Sequence, residues 1–168
     1  SFQITCSRNI NLLKSFDITY PIFTCSEANQ NSINNHSIPI YSLLQKKPQP
    51  YHINVRWNVI DQIKQVNKSY LEQLERYLEE SNNIILSGED ISLLDKQSLK
   101  ELVEKIKSFS FNVHIIALIR NPYNYFCSEI QQLIKSGSYI NLVSFNEDPV
   151  NDLNRNTGIR SYIVQKLK

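Results

Sequence analysis

The 168-residue chain contains no methionine, three glycines and three cysteines. Three glycines are too few for a glycine-rich phosphate loop inside the chain, since such loops use glycine to let backbone N–H groups approach the ligand. Cys6, Cys25 and Cys127 form no CxxC pair and leave an odd count. That pattern fits a reducing compartment better than a disulfide scaffold, and the expectation is cytoplasmic. No run of about 18 apolar residues exists, so nothing is expected to span a bilayer, and no signal-peptide pattern opens the chain. An excess of one charge sign is also missing. With 18 basic against 16 acidic residues and a net charge of +2, bulk charge does not hold this protein to nucleic acid. A translation product begins with methionine, so its absence creates the expectation that the natural start lies upstream of Ser1.

What is present is enough for a core. Hydrophobic residues make up 41% and aromatics 10% of the chain, too much for disorder, and the length suits one domain over residues 1–168. Residues 1–14 read as a helix, with Phe2, Cys6, Ile10 and Leu13 near helical spacing. A short apolar stretch that ends at Tyr20-Pro21 could be a strand. Residues 24–52 are polar and weakly patterned, and are expected to form a long loop or lid, with Leu43 and Leu44 on a short helix inside it. Ile60, Ile63, Leu71, Leu74 and Leu78 keep a 3.6 period, which predicts a helix over residues 58–80. Asn82-Asn83 would stop it, because asparagine tolerates the left-handed cap. Ile84-Ile85-Leu86 then reads as a buried strand opening into Ser87-Gly88-Glu89-Asp90. A helix is predicted over 95–107, with Ser98 and Glu101 in capping-box spacing. Residues 113–119 read as a strand covered on both faces, and Pro122 is suited to open a helix that stops at Gly137. Residues 141–156 are irregular, and 159–167 could begin a last helix. Strands alternating with helices point to an α/β fold with a parallel sheet.

Arg120 stands at the carboxyl end of a predicted strand, where open α/β sheets bind ligands. Its guanidinium is a planar fork of donors suited to phosphate, and Ser128, about two turns into the next helix, could reach the same group. The alternative is that Arg120 pairs with a carboxylate such as Glu89 and Ser128 is a small helix residue. Glu89, in a loop after a strand, and His36, in the polar segment, are the two candidate bases. A salt bridge or cap for Glu89 and a solvated loop position for His36 are the plain readings beside them. His114 is expected to be a core residue. The scattered histidines and cysteines fit no zinc pattern, and nothing local supports a cysteine nucleophile at Cys25 or Cys127.

Arg120-Asn121-Pro122 with Ser128 resembles the Arg-(Asn/Asp)-Pro…Ser element of sulfotransferases. Ile84-Ile85-Leu86-Ser87-Gly88-Glu89 is similar to the strand and Ser-Ser-Glu segment of bacterial carbohydrate-type members. Ser1-Phe2-Gln3, Asn9, Leu12-Leu13 and Ile18-Thr19-Tyr20-Pro21 resemble their first helix and the segment that closes it. The resemblance implies a three-layer P-loop-type α/β domain, a parallel sheet flanked by helices and incomplete at its N-terminus. The family's Lys-Thr-Gly-Thr-Thr loop would lie just before Ser1, and without it this chain would be inactive. The implied reaction moves a sulfonate from 3′-phosphoadenosine 5′-phosphosulfate (PAPS) to an acceptor hydroxyl, on a saccharide by analogy and without a metal. Arg120 and Ser128 would bind the 3′-phosphate, and Glu89 or His36 would be the base. No element closing over the adenosine is recognisable after Asn141.

Two other functions remain open from the sequence. One is a P-loop phosphotransferase, in which Arg120 meets a nucleotide phosphate and ATP with magnesium is preferred. The other is a non-catalytic α/β module that binds a partner through residues 24–52.

Overall fold

The computed structural model describes residues 2–46, 50–117 and 121–135. The chain forms two units, residues 1–114 and residues 115–168. The first unit runs α1 (Phe2–Arg8), α2 (Ile10–Ser15), β1 (Ile18–Thr19), β2 (Phe23–Cys25), β3 (Gln30–Ile33), α3 (Ser37–Leu44), α4 (His52–Arg56), α5 (Ile63–Glu80), β4 (Asn83–Ile84) and α6 (Lys96–Lys107). The described part of the second contains α7 (Pro122–Lys135).

The general α/β expectation holds: helices accompany a small parallel sheet. β1 pairs with β4 in parallel, Ile18 opposite Asn83 and Thr19 opposite Ile84. Asp17 sets this register. Its backbone takes the left-handed conformation (φ 57°), which aspartate tolerates better than most residues. Asn82 Nδ2 donates to its carboxylate and Asn83 Nδ2 to its carbonyl, each at 3.1 Å. The two asparagines therefore pin β1 to β4 rather than cap α5 in the left-handed form, and α5 ends instead at an extended Ser81. A second, antiparallel pair joins β2 to β3, with Phe23 opposite Ile33 and Cys25 opposite Gln30.

The largest correction concerns residues 24–52, expected to be a loop or lid. They hold most of the β2–β3 hairpin and all of α3, and Cys25, Ile33, Ile40, Tyr41 and Tyr51 are buried in the core. The segment looked polar because its buried residues alternate with exposed asparagine and serine in very short elements. Core partners come from α5 (Val66, Tyr70, Leu74, Leu78) and α6 (Leu102, Ile106), the two helices whose 3.6 period was plain. A fully buried aliphatic or aromatic side chain of this kind contributes about 1.5–3 kcal/mol.

Smaller differences have local causes. The first helix is divided at Asn9, whose Nδ2 donates to the Thr5 carbonyl at 2.8 Å, the kind of side-chain bond that competes with helix continuation. Its buried residues are Gln3 and Cys6, while Phe2 is exposed. The cap of α6 is Asp95, which accepts from the Ser98 N–H at 2.8 Å. Ser98 is instead fully buried and donates to the Leu44 carbonyl, while Glu101 pairs with Lys46. No strand forms over residues 113–117, and His114 is exposed rather than in a core. Ile115 and Ile116 are 84% and 86% exposed; the run has strand-type residues but no strand partner among the described residues, and propensity alone does not make a strand. α7 spans the residues expected of it. The stop at Gly137, and everything proposed for residues 141–168, lies outside the described residues.

α5 also completes the hydrogen bonding of the chain entering β2. Gln73 accepts the Thr24 N–H at 2.8 Å and donates to the Thr24 carbonyl at 3.0 Å. One turn on, the Tyr77 hydroxyl donates to the Ile22 carbonyl at 2.8 Å and accepts its N–H at 3.2 Å. The spacing fits: four helical residues rise about 6 Å and two strand residues about 6.6 Å. Replacing Gln73 by leucine leaves both Thr24 groups unpaired and is expected to lower unfolding stability by about 1–3 kcal/mol in denaturant titration. Gln73→Glu, which keeps the acceptor but sets a carboxylate against the Thr24 carbonyl, should cost at least as much.

Candidate functional site

Parallel strands end on the same side, so β1 and β4 deliver Tyr20-Pro21 and Leu86-Ser87-Gly88-Glu89 to one edge. This is the carboxyl edge, where open α/β sheets place ligands. Glu89 is exposed there, and among the described residues its carboxylate has no hydrogen bond or ion pair. Its backbone carbonyl is occupied, accepting from the Ser92 amide and hydroxyl. Asp90, next along, is half-buried and accepts from the Tyr51 hydroxyl at 2.6 Å. Burial, reinforced by the Asp90 carboxylate, pushes the Tyr51 phenol well above its ordinary range, so Tyr51 is a fixed donor to Asp90.

His36 is fully buried, which corrects its expected place on a solvated lid. Its Nε2 lies 2.7 Å from the Pro21 carbonyl, and its Nδ1 lies 2.8 Å from the Ser87 amide nitrogen. A backbone N–H can only donate, so Nδ1 is the acceptor and Nε2 carries the proton. The ring is thus neutral, spans the loops that follow β1 and β4, and has no nitrogen left for an acceptor's proton. Tyr20 and Phe23 pack against it with ring centroids 4.4 and 5.7 Å away. Burial pushes its pKa down to about 4, against a smaller upward pull from the Pro21 carbonyl.

Two further contacts fix the loop. The His36 N–H donates to the Ser87 carbonyl at 3.0 Å, and the Asp90 N–H donates to the Ser37 hydroxyl at 2.8 Å. Gly88 lies so close that a Cβ on it would stand 2.2 Å from the Ser37 nitrogen. Here glycine is required by close approach. His36 and Ser37 were absent from the pattern of the sequence as structural residues, because their partners are backbone groups 15 positions away at Pro21 and 51 and 53 positions away at Ser87 and Asp90. The one usable signal was Gly88 itself, a rare glycine two positions after the apolar run Ile84-Ile85-Leu86.

Arg120 lies outside the described residues. Ser128 stands on α7, in the second unit, and is half-buried; within the first unit Glu89 and His36 lie near one edge, with only Glu89 open to solvent. Among the described residues no group of three or more His, Cys, Asp or Glu is placed to hold a metal ion. A cleft of about 170 Å³ among α3, α5 and α6 is lined by aliphatic side chains including Ile40, Leu44, Leu71 and Leu102, with Lys105, which pairs with Glu75, as its one charged residue. No helix among the described residues is long and apolar enough to cross a membrane. No family model, curated protein or solved structure matches the chain.

The buried imidazole sets a pH dependence. His36 titrates at about 4 in the folded chain against about 6.5 when unfolded. Between those values the unfolded chain holds the extra proton, so stability is full above pH 6.5 and falls as pH drops toward 4. The slope from this one residue is about 1.4 kcal/mol per pH unit. Thermal unfolding midpoints measured across that window should fall in the wild type and flatten in His36→Gln. In the same assay Gly88→Ala should lower the midpoint at every pH, because its methyl meets the Ser37 backbone.

Proposed function

We propose that this chain belongs to a P-loop-type, PAPS-dependent sulfotransferase that acts on an acceptor hydroxyl of the saccharide class. The observation that supports this reading most is the parallel β1–β4 register, which sets Glu89 unpartnered and exposed at the carboxyl edge beside the Tyr20-Pro21 turn. These are two of the three segments on which the family resemblance rests. The third is Arg120-Asn121-Pro122…Ser128, whose Pro122 opens α7 and whose Ser128 stands on it.

In this reading each residue has one task. Arg120 and Ser128 bring a guanidinium and a hydroxyl, a donor set that fits the oxygens of a 3′-phosphate. PAPS would supply the activated sulfonate, which passes to the acceptor oxygen as its bond to the 5′-phosphate oxygen breaks and adenosine 3′,5′-bisphosphate leaves. Glu89 accepts the proton that the acceptor hydroxyl gives up. His36 is not the base, since both ring nitrogens are held by backbone groups. The three cysteines, free thiols all, favour the cytoplasm.

Calorimetric titration of the full-length gene product with adenosine 3′,5′-bisphosphate and with 5′-AMP tests the assignment. The bisphosphate should bind more tightly, and Arg120→Ala should remove the preference, a loss of about 1.5–3 kcal/mol or roughly tenfold or more in affinity. Equal binding of the two nucleotides would sink the assignment of Arg120 and Ser128. A preference for ATP with magnesium would point to phosphoryl transfer instead.

A further inference from the structure

We infer that His36 and Ser37 are positioning residues: a two-residue clamp, at the start of α3, that presents the Glu89 loop at the carboxyl edge. The role of Glu89 in this inference rests on the sulfotransferase reading; the clamp itself rests on contacts alone. Between them the two residues hold the loop at both its ends, Ser87 and Asp90, while the Tyr51 hydroxyl holds the Asp90 side chain. His36 holds Ser87 from both sides, its Nδ1 accepting from the Ser87 N–H at 2.8 Å and its own N–H donating to the Ser87 carbonyl at 3.0 Å. Ser37 accepts from the Asp90 N–H at 2.8 Å. Gly88, between them, lies against the Ser37 backbone too closely to admit a Cβ. Glu89 is the one residue of residues 87–90 that the clamp leaves exposed.

The clamp is anchored on both sides. Through Nε2 the imidazole is tied to the Pro21 carbonyl, 2.7 Å away, so the loop after β4 is fixed relative to the turn after β1. Ser37 is oriented by Asn35, whose Oδ1 accepts the Ser37 N–H at 3.0 Å. The ring packs against a tilted Tyr20 ring and meets Phe23 edge to face, which limits its orientation. Three of these polar contacts fall on residues 87–90, which a pair of residues that served the core alone would not need.

Amide hydrogen exchange on the full-length protein tests this. In Ser37→Ala, which removes only the acceptor of the Asp90 N–H, exchange at Ser87 should also rise by about tenfold or more, while Tyr70 and Leu74 in α5 stay protected. Ser37→Thr, which restores the hydroxyl, should restore protection at Ser87. His36→Gln should loosen Asp90 in the same way, and Ser37→Ala keeps the test decisive should that variant not fold. A change confined to the Asp90 amide, or one spread equally through α5, overturns the clamp. Bisphosphate titration of the same variants separates the two ideas. Absent nucleotide binding in the wild type defeats the sulfotransferase reading, while the exchange pattern still decides whether the loop is clamped.

Discussion

The imidazole of His36, held between the Pro21 carbonyl and the Ser87 amide, is the interaction on which the rest of this structure turns. Two strands of two residues each cannot hold a parallel register by themselves, since such short pairs are marginal even when antiparallel. Here the register is fixed from both ends. Asp17 and the two asparagines secure the start of the pair, and His36 joins the loops after its finish. A neutral ring with one donor and one acceptor suits a site where one backbone carbonyl and one backbone N–H must both be satisfied away from water.

That economy explains why the core can sit beside such slight strands. Phe23, Ile40, Tyr70 and Leu74 pack where the hairpin, α3 and α5 meet, and the parallel pair lies at the margin, with Ile84, Ile85 and Leu86 only half-buried. The carboxyl edge is therefore assembled by polar contacts, whereas the bulk of the stability comes from apolar helix faces. The two are joined through α3, whose first residues hold the loop and whose later residues, Ile40 and Tyr41, enter the core.

Much of this division was legible in the sequence, and the illegible part has a common cause. α5, α6 and α7 announced themselves through long apolar periods or a well-placed proline, because a helix satisfies its backbone locally and needs only one buried stripe. The Ile18–Tyr20 and Ile84–Leu86 runs signalled strands through their apolar residues alone, although only two residues of each pair. The hairpin and most of α3 were hidden, with only Leu43 and Leu44 legible as a short helix: Phe23, Cys25, Ile33 and Ile40 are separated by polar residues whose partners are distant. Glu89 could be picked out from its place after a strand. The true position of His36 could not, since a histidine among asparagines reads as solvated until Pro21 and Ser87 are brought to it. Residues 113–117 show the opposite error, strand-like composition without a strand.

The contacts of Gln73 and Tyr77 with the backbone of Ile22 and Thr24 have a consequence for behaviour in solution. A hairpin of three- and four-residue strands invites association with any extended chain that can pair with its outer margin, including another copy of itself. An amide and a phenol from α5 already take the positions such a chain would use, and they do so from a helix that cannot propagate a ladder. The margin of β2 is thus closed to recruitment by side chains of α5, in addition to the register shift between Phe23 and Cys25, and protection against sticky association is built into the same helix that supplies the core.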